Sequence, residues 1–498
     1  MSDNVPHTPG AQVPADGENR WIRWSAGVSL LWCMLFLASC NERPLSSPAP
    51  AGGADAQSVS GGPFTFENFS LGATPGMVCP GSSACANGAA EPAIRADATG
   101  TFDVSSELGL SAGTLAWKST DGGLHYTALT SPNQISQAAG GLATGGGDTD
   151  LGIAPQANAS GVHNVYVASL SLANVTVSTS QDGGKTWNKN VLSATIPGDD
   201  REWIAADQAT KVCISYHDVV TFNIDVNCSF DAGASFTQLG SAIDPTHAFL
   251  LQENSTGNLV IDPKSHVTYQ VFSGIANAAE AVIPTNFHAV WIAVSRDGGQ
   301  TFTDNPVYVN PDPSVSYGHQ FINVTVDRAG TVYVVYTDNH NLFYSFSTNG
   351  GGTWTGPIQV NQAPSATAIM PWSVACDPGQ LNIVWYGTSF YDGTTAPDNY
   401  PASAGWYVFF AQNLNATVAG STFTQAAATP IIHYGGVCES GVGCTGNRDL
   451  YDDFGVAVNP TTGLASIVYS DDQPGNTGAA DHTAIATQTA GPKICAGP

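Results

Sequence analysis

Short runs in which apolar and β-branched residues alternate with polar ones recur along the chain from Phe64 onward, broken by Gly, Pro, Asn and Asp. The clearest are Val212-Cys213-Ile214-Ser215-Tyr216 and Gly330 to Tyr336, each preceded by a run ending at an acid, Trp203 to Asp207 and Val324 to Asp327. A period of two predicts strands with one face buried. No stretch repeats apolar residues at i, i+3, i+4 and i+7 over several turns, so long amphipathic helices are not expected. Further leading runs end at Asp97, Ala154, Asp262, Asp377 and Asn459, which makes seven in all. The pattern predicts an all-β chain of repeated strand units.

A second periodicity lies downstream of the paired runs. Five copies of one motif start 49 to 66 residues apart: Ser119-Thr-Asp121-Gly-Gly123, Ser180-Gln-Asp182-Gly-Gly184, Ser229-Phe-Asp231-Ala-Gly233, Ser295-Arg-Asp297-Gly-Gly299 and Ser347-Thr-Asn349-Gly-Gly351. Each continues into a short polar residue or His and then an aromatic one. A carboxylate that accepts bonds from nearby N–H groups, followed by glycines, is turn chemistry. The motif resembles the Asp box of the BNR or sialidase-like β-propellers. That resemblance implies a structural turn between the third and fourth strands of each blade, away from the binding face. Seven leading strands imply seven four-stranded blades; six remain if the first unit is not a full blade. The sixth unit lacks the motif and the seventh ends after three strands, so the segment Phe64 to Ser70 is expected to close the ring.

Composition changes the picture outside the body. Arg20 and Arg23 precede an apolar run from Ala26 to Ala38, the length of a signal peptide's apolar region and short for a membrane span. It ends in Leu37-Ala38-Ser39-Cys40, which resembles a bacterial lipobox and implies lipidation at Cys40. Residues 1–39 thus read as a signal peptide with a polar extension, 40–63 as a lipidated Cys and flexible tether, and 64–498 as one propeller domain. Eight cysteines remain in the body, an even number that suits an oxidising, extracytoplasmic compartment. Cys79 with Cys85 and Cys438 with Cys444 lie in short loops, and Cys213 and Cys228 lie in successive strands. Cys376 and Cys495 pair by elimination. With 14 basic against 40 acidic residues and a net charge of −26, phosphate-neutralising nucleic-acid binding is excluded, and a closed ring favours a monomer.

In a propeller the residues just before each inner strand line the mouth of the central channel. Those positions hold Asp148 and Asp150 in the second unit, Asp199, Asp200, Arg201 and Glu202 in the third, and Arg448, Asp449, Asp452 and Asp453 in the seventh. Glu253, His319, Gln320, Met370 and Trp372 occupy the fourth to sixth. The acids therefore gather on one side of the ring. Paired carboxylates suit glycoside hydrolysis. Clustered Asp equally suits Ca²⁺, with Asp199, Asp200, Asp452 and Asp453 as ligands. Caps on loop N–H groups are the third reading.

The sialidase resemblance implies three arginines for a sialic-acid carboxylate and a Tyr nucleophile. Arg95, Arg201, Arg448 and Tyr451 are the residues available, with Asp200 and Asp453 as carboxylates, but the Phe/Tyr-Arg-Ile-Pro motif is absent around Arg95. The expected function is therefore binding of a glycan or other surface polymer at the acidic mouth, with Trp203, Trp372 and Tyr451 as stacking surfaces and Asp148, Asp150, Asp200, Glu202, His319 and Asp452 as polar contacts. A sialidase-like exo-glycoside hydrolase and a surface-assembly scaffold are the alternatives.

Overall fold

The computed structural model describes residues 56–71, 90–134, 143–172, 174–283, 285–319, 321–472 and 482–497. Cys40, the signal region, and Cys79 with Cys85 lie outside them. Among the described residues the strands form seven antiparallel sheets, arranged as a seven-bladed β-propeller. The inner strands, in blade order, are Ala90–Ala96, Thr149–Ala157, Asp199–Asp207, Asn254–Ile261, Asn323–Val326, Thr367–Ala375 and Gly455–Val458. Each is followed by its second, third and fourth strands in simple sequence order through blade 6. No helix among the described residues is long and apolar enough to cross a membrane.

Blade 7 supplies three strands of its own, Gly455–Val458, Ala465–Asp471 and His482–Ala490, and the N-terminal strand Phe64–Ser70 pairs antiparallel with the last. Closure by this segment removes an open sheet edge. Gln57–Gly61, which the sequence reading placed in the tether, is instead a further outer strand on Phe64–Ser70. Its alternation is too polar to stand out, with a burial pattern that leaves most of it exposed. Phe64 and Phe66 are fully buried against Phe410 of blade 6, at ring distances of 5.0 and 5.2 Å.

All five Ser-x-Asp/Asn turns connect the third and fourth strands of blades 1 to 5. In blade 4, Ser295 Oγ donates to Asp297 Oδ1 at 2.8 Å and accepts from Gly299 N at 2.8 Å, while Asp297 Oδ1 also accepts from Thr301 N at 3.0 Å. Gly299 has φ +97°, a conformation that a Cβ would strain, and its surroundings leave a Cβ only 3.0 Å from Cys228 Sγ of blade 3. The turns therefore lock each blade internally and seat it on its predecessor.

Three disulfides are formed among the described cysteines: Cys213–Cys228, Cys376–Cys495 and Cys438–Cys444. Cys213 and Cys228 face each other across neighbouring strands of blade 3. Cys376–Cys495 ties the C-terminal tail beside the inner strand of blade 6, where Asp377 Oδ2 also accepts from Ala496 N.

Candidate functional site at the channel mouth

Inner strands from several blades begin with the same backbone device. Glu91 (φ 47°), Arg201 (φ 52°), Met370 (φ 51°) and Tyr451 (φ 56°) are left-handed although none is Gly. In blades 1, 3 and 6 the strand pairing slips at that point, between Ala90 and Ala93, Asp200 and Glu202, and Ile369 and Trp372. Such a bulge re-aims a side chain at a local cost of about 1 kcal/mol or more. That cost recurs in blades 1, 3, 6 and 7 at the mouth.

Arg201 is the hub. Its guanidinium contacts Asp452 at 2.9 Å, Asp148 at 3.4 Å, and Glu91 and Asp453 at 3.7 Å, so carboxylates of blades 1, 2 and 7 converge on a cation of blade 3. Arg448 donates to Glu91 Oε1 at 3.0 Å and to Asp452 Oδ2 at 2.5 Å. Arg95 donates to Asp150 Oδ1 at 2.7 Å, and the same carboxylate accepts from Leu151 N and, across blades, from Ile204 N. Asp150 is therefore a strut between blades 1, 2 and 3.

Beneath the guanidinium groups lies an aromatic floor. Trp203 stands 5.5 Å from both Phe321 and Trp372, and Arg201 lies 4.1 Å above Phe321 while Arg95 lies 5.2 Å above Trp372. The expectation of Trp203 and Trp372 as open stacking surfaces is corrected here. Both are buried, at 1% and 6% exposure, and the face of Trp372 already carries a cation. Tyr451 is half-buried, with Arg448 4.9 Å from its ring centre. His319 faces Glu439 at 3.6 Å, and burial pushes its imidazole down to about 4.

Protonation is split within the cluster. Burial, reinforced by Asp148, holds Glu91 and Glu202 well above the usual carboxylate range. Burial likewise pushes Asp453 up to about 8 despite Arg201. Asp148 goes the other way: burial would raise it, but Arg201 and Arg448 hold it low. Neighbouring carboxyls Glu91 and Asp148 are thus driven in opposite directions. Glu202 is 2% exposed, and neither of its carboxyl oxygens has a hydrogen-bond partner. Asp200 is open to solvent yet hemmed in by protein, and lost hydration together with Asp148 raises it.

The four acids expected to hold Ca²⁺ do not converge. Asp199 and Asp200 alternate to opposite sides of the strand, and Asp199 is pushed up to about 8 by burial and by Asp218 and Asp225. Asp452 and Asp453 already face the Arg201 guanidinium. A cation needing six to eight oxygens does not fit that set.

Glu91 escaped the sequence reading. It stands six residues before Asp97, as Arg201 stands six before Asp207, and that spacing is the signal that could have found it.

No protein-family profile matches the chain, and no curated protein is detectably similar to it in sequence. Solved structures of similar fold include the GH74 xyloglucanase from Xanthomonas campestris, at 14% identity and a TM-score of 0.48, over 81% of this chain and 52% of that one. An α-L-arabinanase of Penicillium chrysogenum complexed with arabinobiose aligns at 10% identity and a TM-score of 0.44, over 87% and 98%. The intramolecular trans-sialidase from Ruminococcus gnavus aligns at 10% identity and a TM-score of 0.37, over 80% and 93%.

Proposed function

We propose that the mouth binds a carbohydrate chain free of net negative charge, neutral or amino-substituted, on a protein that is exported and held to a membrane through lipid at Cys40. The observation that carries the binding reading is the commitment of every arginine in the cluster. Arg95, Arg201 and Arg448 each already face carboxylates, against an excess of acids formed by Glu91, Asp148, Asp150, Asp200, Glu202, Asp452 and Asp453. A sialic-acid carboxylate would have to displace an internal ion pair, because no arginine of the cluster is left uncommitted. Sugar hydroxyls and ammonium groups meet the opposite situation. They can donate to solvent-facing carboxyl oxygens such as those of Asp200.

The split protonation favours a second reading, hydrolysis of a neutral glycoside. Carboxyls driven apart in this way, Glu91 and Glu202 upward and Asp148 downward, are the arrangement from which glycoside cleavage draws an acid and a base. The test is a titration of neutral, amino-substituted and sialylated oligosaccharides against the full chain, run beside fluorogenic glycosides of the same three classes. Binding of the first two classes, weakened at least tenfold by Asp200→Asn, supports the proposal; turnover that Glu202→Gln abolishes favours the second reading. Preference for the sialylated ligand sinks both. Export and anchoring rest on the apolar run and Cys40, and Cys40→Ala is expected to move the protein from the membrane fraction to the soluble one.

A further inference from the structure

Blade 3 passes to blade 4 through a short segment that holds a second polar cluster, remote in sequence from the mouth residues. Asp244 follows the outer strand of blade 3, His247 lies in the 3₁₀ turn Pro245–Leu250, and Asp304 lies in the outer strand Thr303–Val309 of blade 4. The two aspartates are clamped together reciprocally: Asp244 N donates to Asp304 Oδ2 at 2.9 Å and Asp304 N donates to Asp244 Oδ2 at 3.0 Å. His247 Nδ1 stands 3.1 Å from Asp244 Oδ2 and 3.7 Å from Asp304 Oδ2. One ligand atom from each residue lies within 4.8 Å of the others.

We propose that Asp244, His247 and Asp304 form a binding site for a divalent transition-metal ion of the Zn²⁺ class, joining blade 3 to blade 4. Around a tetrahedral ion with bonds of about 2.0–2.1 Å, ligand atoms stand about 3.3 Å apart, and the two Nδ1–Oδ2 separations bracket that value. The donor set, two carboxylates and an imidazole, is one that such ions accept.

An independent observation points the same way. The Asp304 side chain is fully buried, and its Oδ1 has no hydrogen-bond partner. Asp244 Oδ1, by contrast, is saturated by Thr246 N, Thr246 Oγ1 and His247 N. Asp304 Oδ2 accepts the Asp244 N–H and keeps a further lone pair, while Asp244 Oδ2 is shared between the Asp304 N–H and His247 Nδ1. The unused acceptor capacity thus lies on the Asp304 carboxylate, beside an imidazole that is partly open to solvent at 26% exposure and leaves a way in. Trp291, 5.2 Å from the His247 ring, backs the cluster with apolar surface.

The full chain is dialysed against chelator and its thermal melt followed with added ZnCl₂, MgCl₂ or CaCl₂, with calorimetric titration of the same ions. A single Zn²⁺ equivalent should bind, and at about one hundred times its dissociation constant it should raise the melting temperature by about 3 °C, with little response to Mg²⁺. His247→Gln and Asp304→Asn keep the size of each side chain, and Asn retains an acceptor for Asp244 N. Each should abolish the shift while the metal-free melt remains cooperative. Absence of Zn²⁺ binding to the wild-type chain, or an equal shift in both variants, overturns the site and leaves His247 as a simple ion-pair partner of the two aspartates. Neither result bears on the sugar titration, because none of these residues lines the mouth.

Discussion

Arg201 shows how one side chain can organise a site without being free to act in it. It is 8% exposed and faces four carboxylates, so removing it strands buried negative charge. Arg201→Ala should destabilise the fold by about 3–5 kcal/mol, the usual consequence of breaking a buried ion pair from one side. A denaturant melt checks this, and a loss of under 1 kcal/mol would mean that water reaches the cluster. Asp453 gives a pH dependence of definite sign. Its folded value of about 8 lies above the value of about 3.9 expected when unfolded, so the folded protein holds a proton that the unfolded chain releases between those limits. Its stabilisation is complete below about pH 4 and is lost as pH rises through about 8. The melting temperature should therefore fall from pH 5 to pH 8.5, and Asp453→Asn should flatten the slope. A melting temperature that rises over that interval would show Asp453 ionised in the fold. The identity of these residues was legible in the sequence, because acids before inner strands stand out where charged residues are only 11% of the chain. Their pairing was not. Whether Arg201 is free or neutralised depends on which blades meet it, and the left-handed bulge that aims it leaves no mark in composition.

At the scale of the single element, alternation and turn chemistry were nearly sufficient. The inner strands announced themselves by short apolar runs ending at an acid or amide, yet they are buried on both faces and not on the one that alternation predicts, as in Thr367–Ala375 and Gly455–Val458. Gln57–Gly61 did not, since an outer strand exposed to water need not alternate. The repeated turns carry a testable irregularity. Where four of the five place Gly at the residue after Asp or Asn, blade 3 has Ala232, and it is held at φ 59°. Left-handed backbone costs an L-residue roughly 1–2 kcal/mol, partly offset by the greater unfolded freedom of Gly. Ala232→Gly is thus expected to stabilise the protein by about 0.5–1 kcal/mol, readable as a higher denaturant midpoint with unchanged slope. Destabilisation would instead assign the Ala232 methyl, which is 6% exposed, a packing role that outweighs its strain. Successive strands also made Cys213–Cys228 predictable, whereas Cys376–Cys495 was reached only by elimination, because the two are separated by 119 positions in the sequence.

For the whole molecule the decisive contact is the one that closes the ring. Phe64–Ser70 pairs with His482–Ala490 along six residue pairs, Thr65 with Ala490 through Ser70 with Ala484, and inserts Phe64 and Phe66 beside Phe410. Residues far apart in sequence thereby share one sheet, which makes closure a non-local event with a large loop-closure cost. Without it, blade 7 would present the backbone of His482–Ala490 as an unpaired edge, a template for association with other chains. A chain lacking residues 1–71 should consequently aggregate on refolding, and a peptide of residues 56–71 supplied during refolding should restore a monomer. Phe66→Ala offers a milder probe of the same contact, with an expected loss of about 3–5 kcal/mol for emptying a fully buried ring site. If the truncated chain instead refolds alone to a monomer with the melting temperature of the full chain, the ring does not depend on its N-terminal strand, and blade 7 is stable with the three strands encoded at its own end.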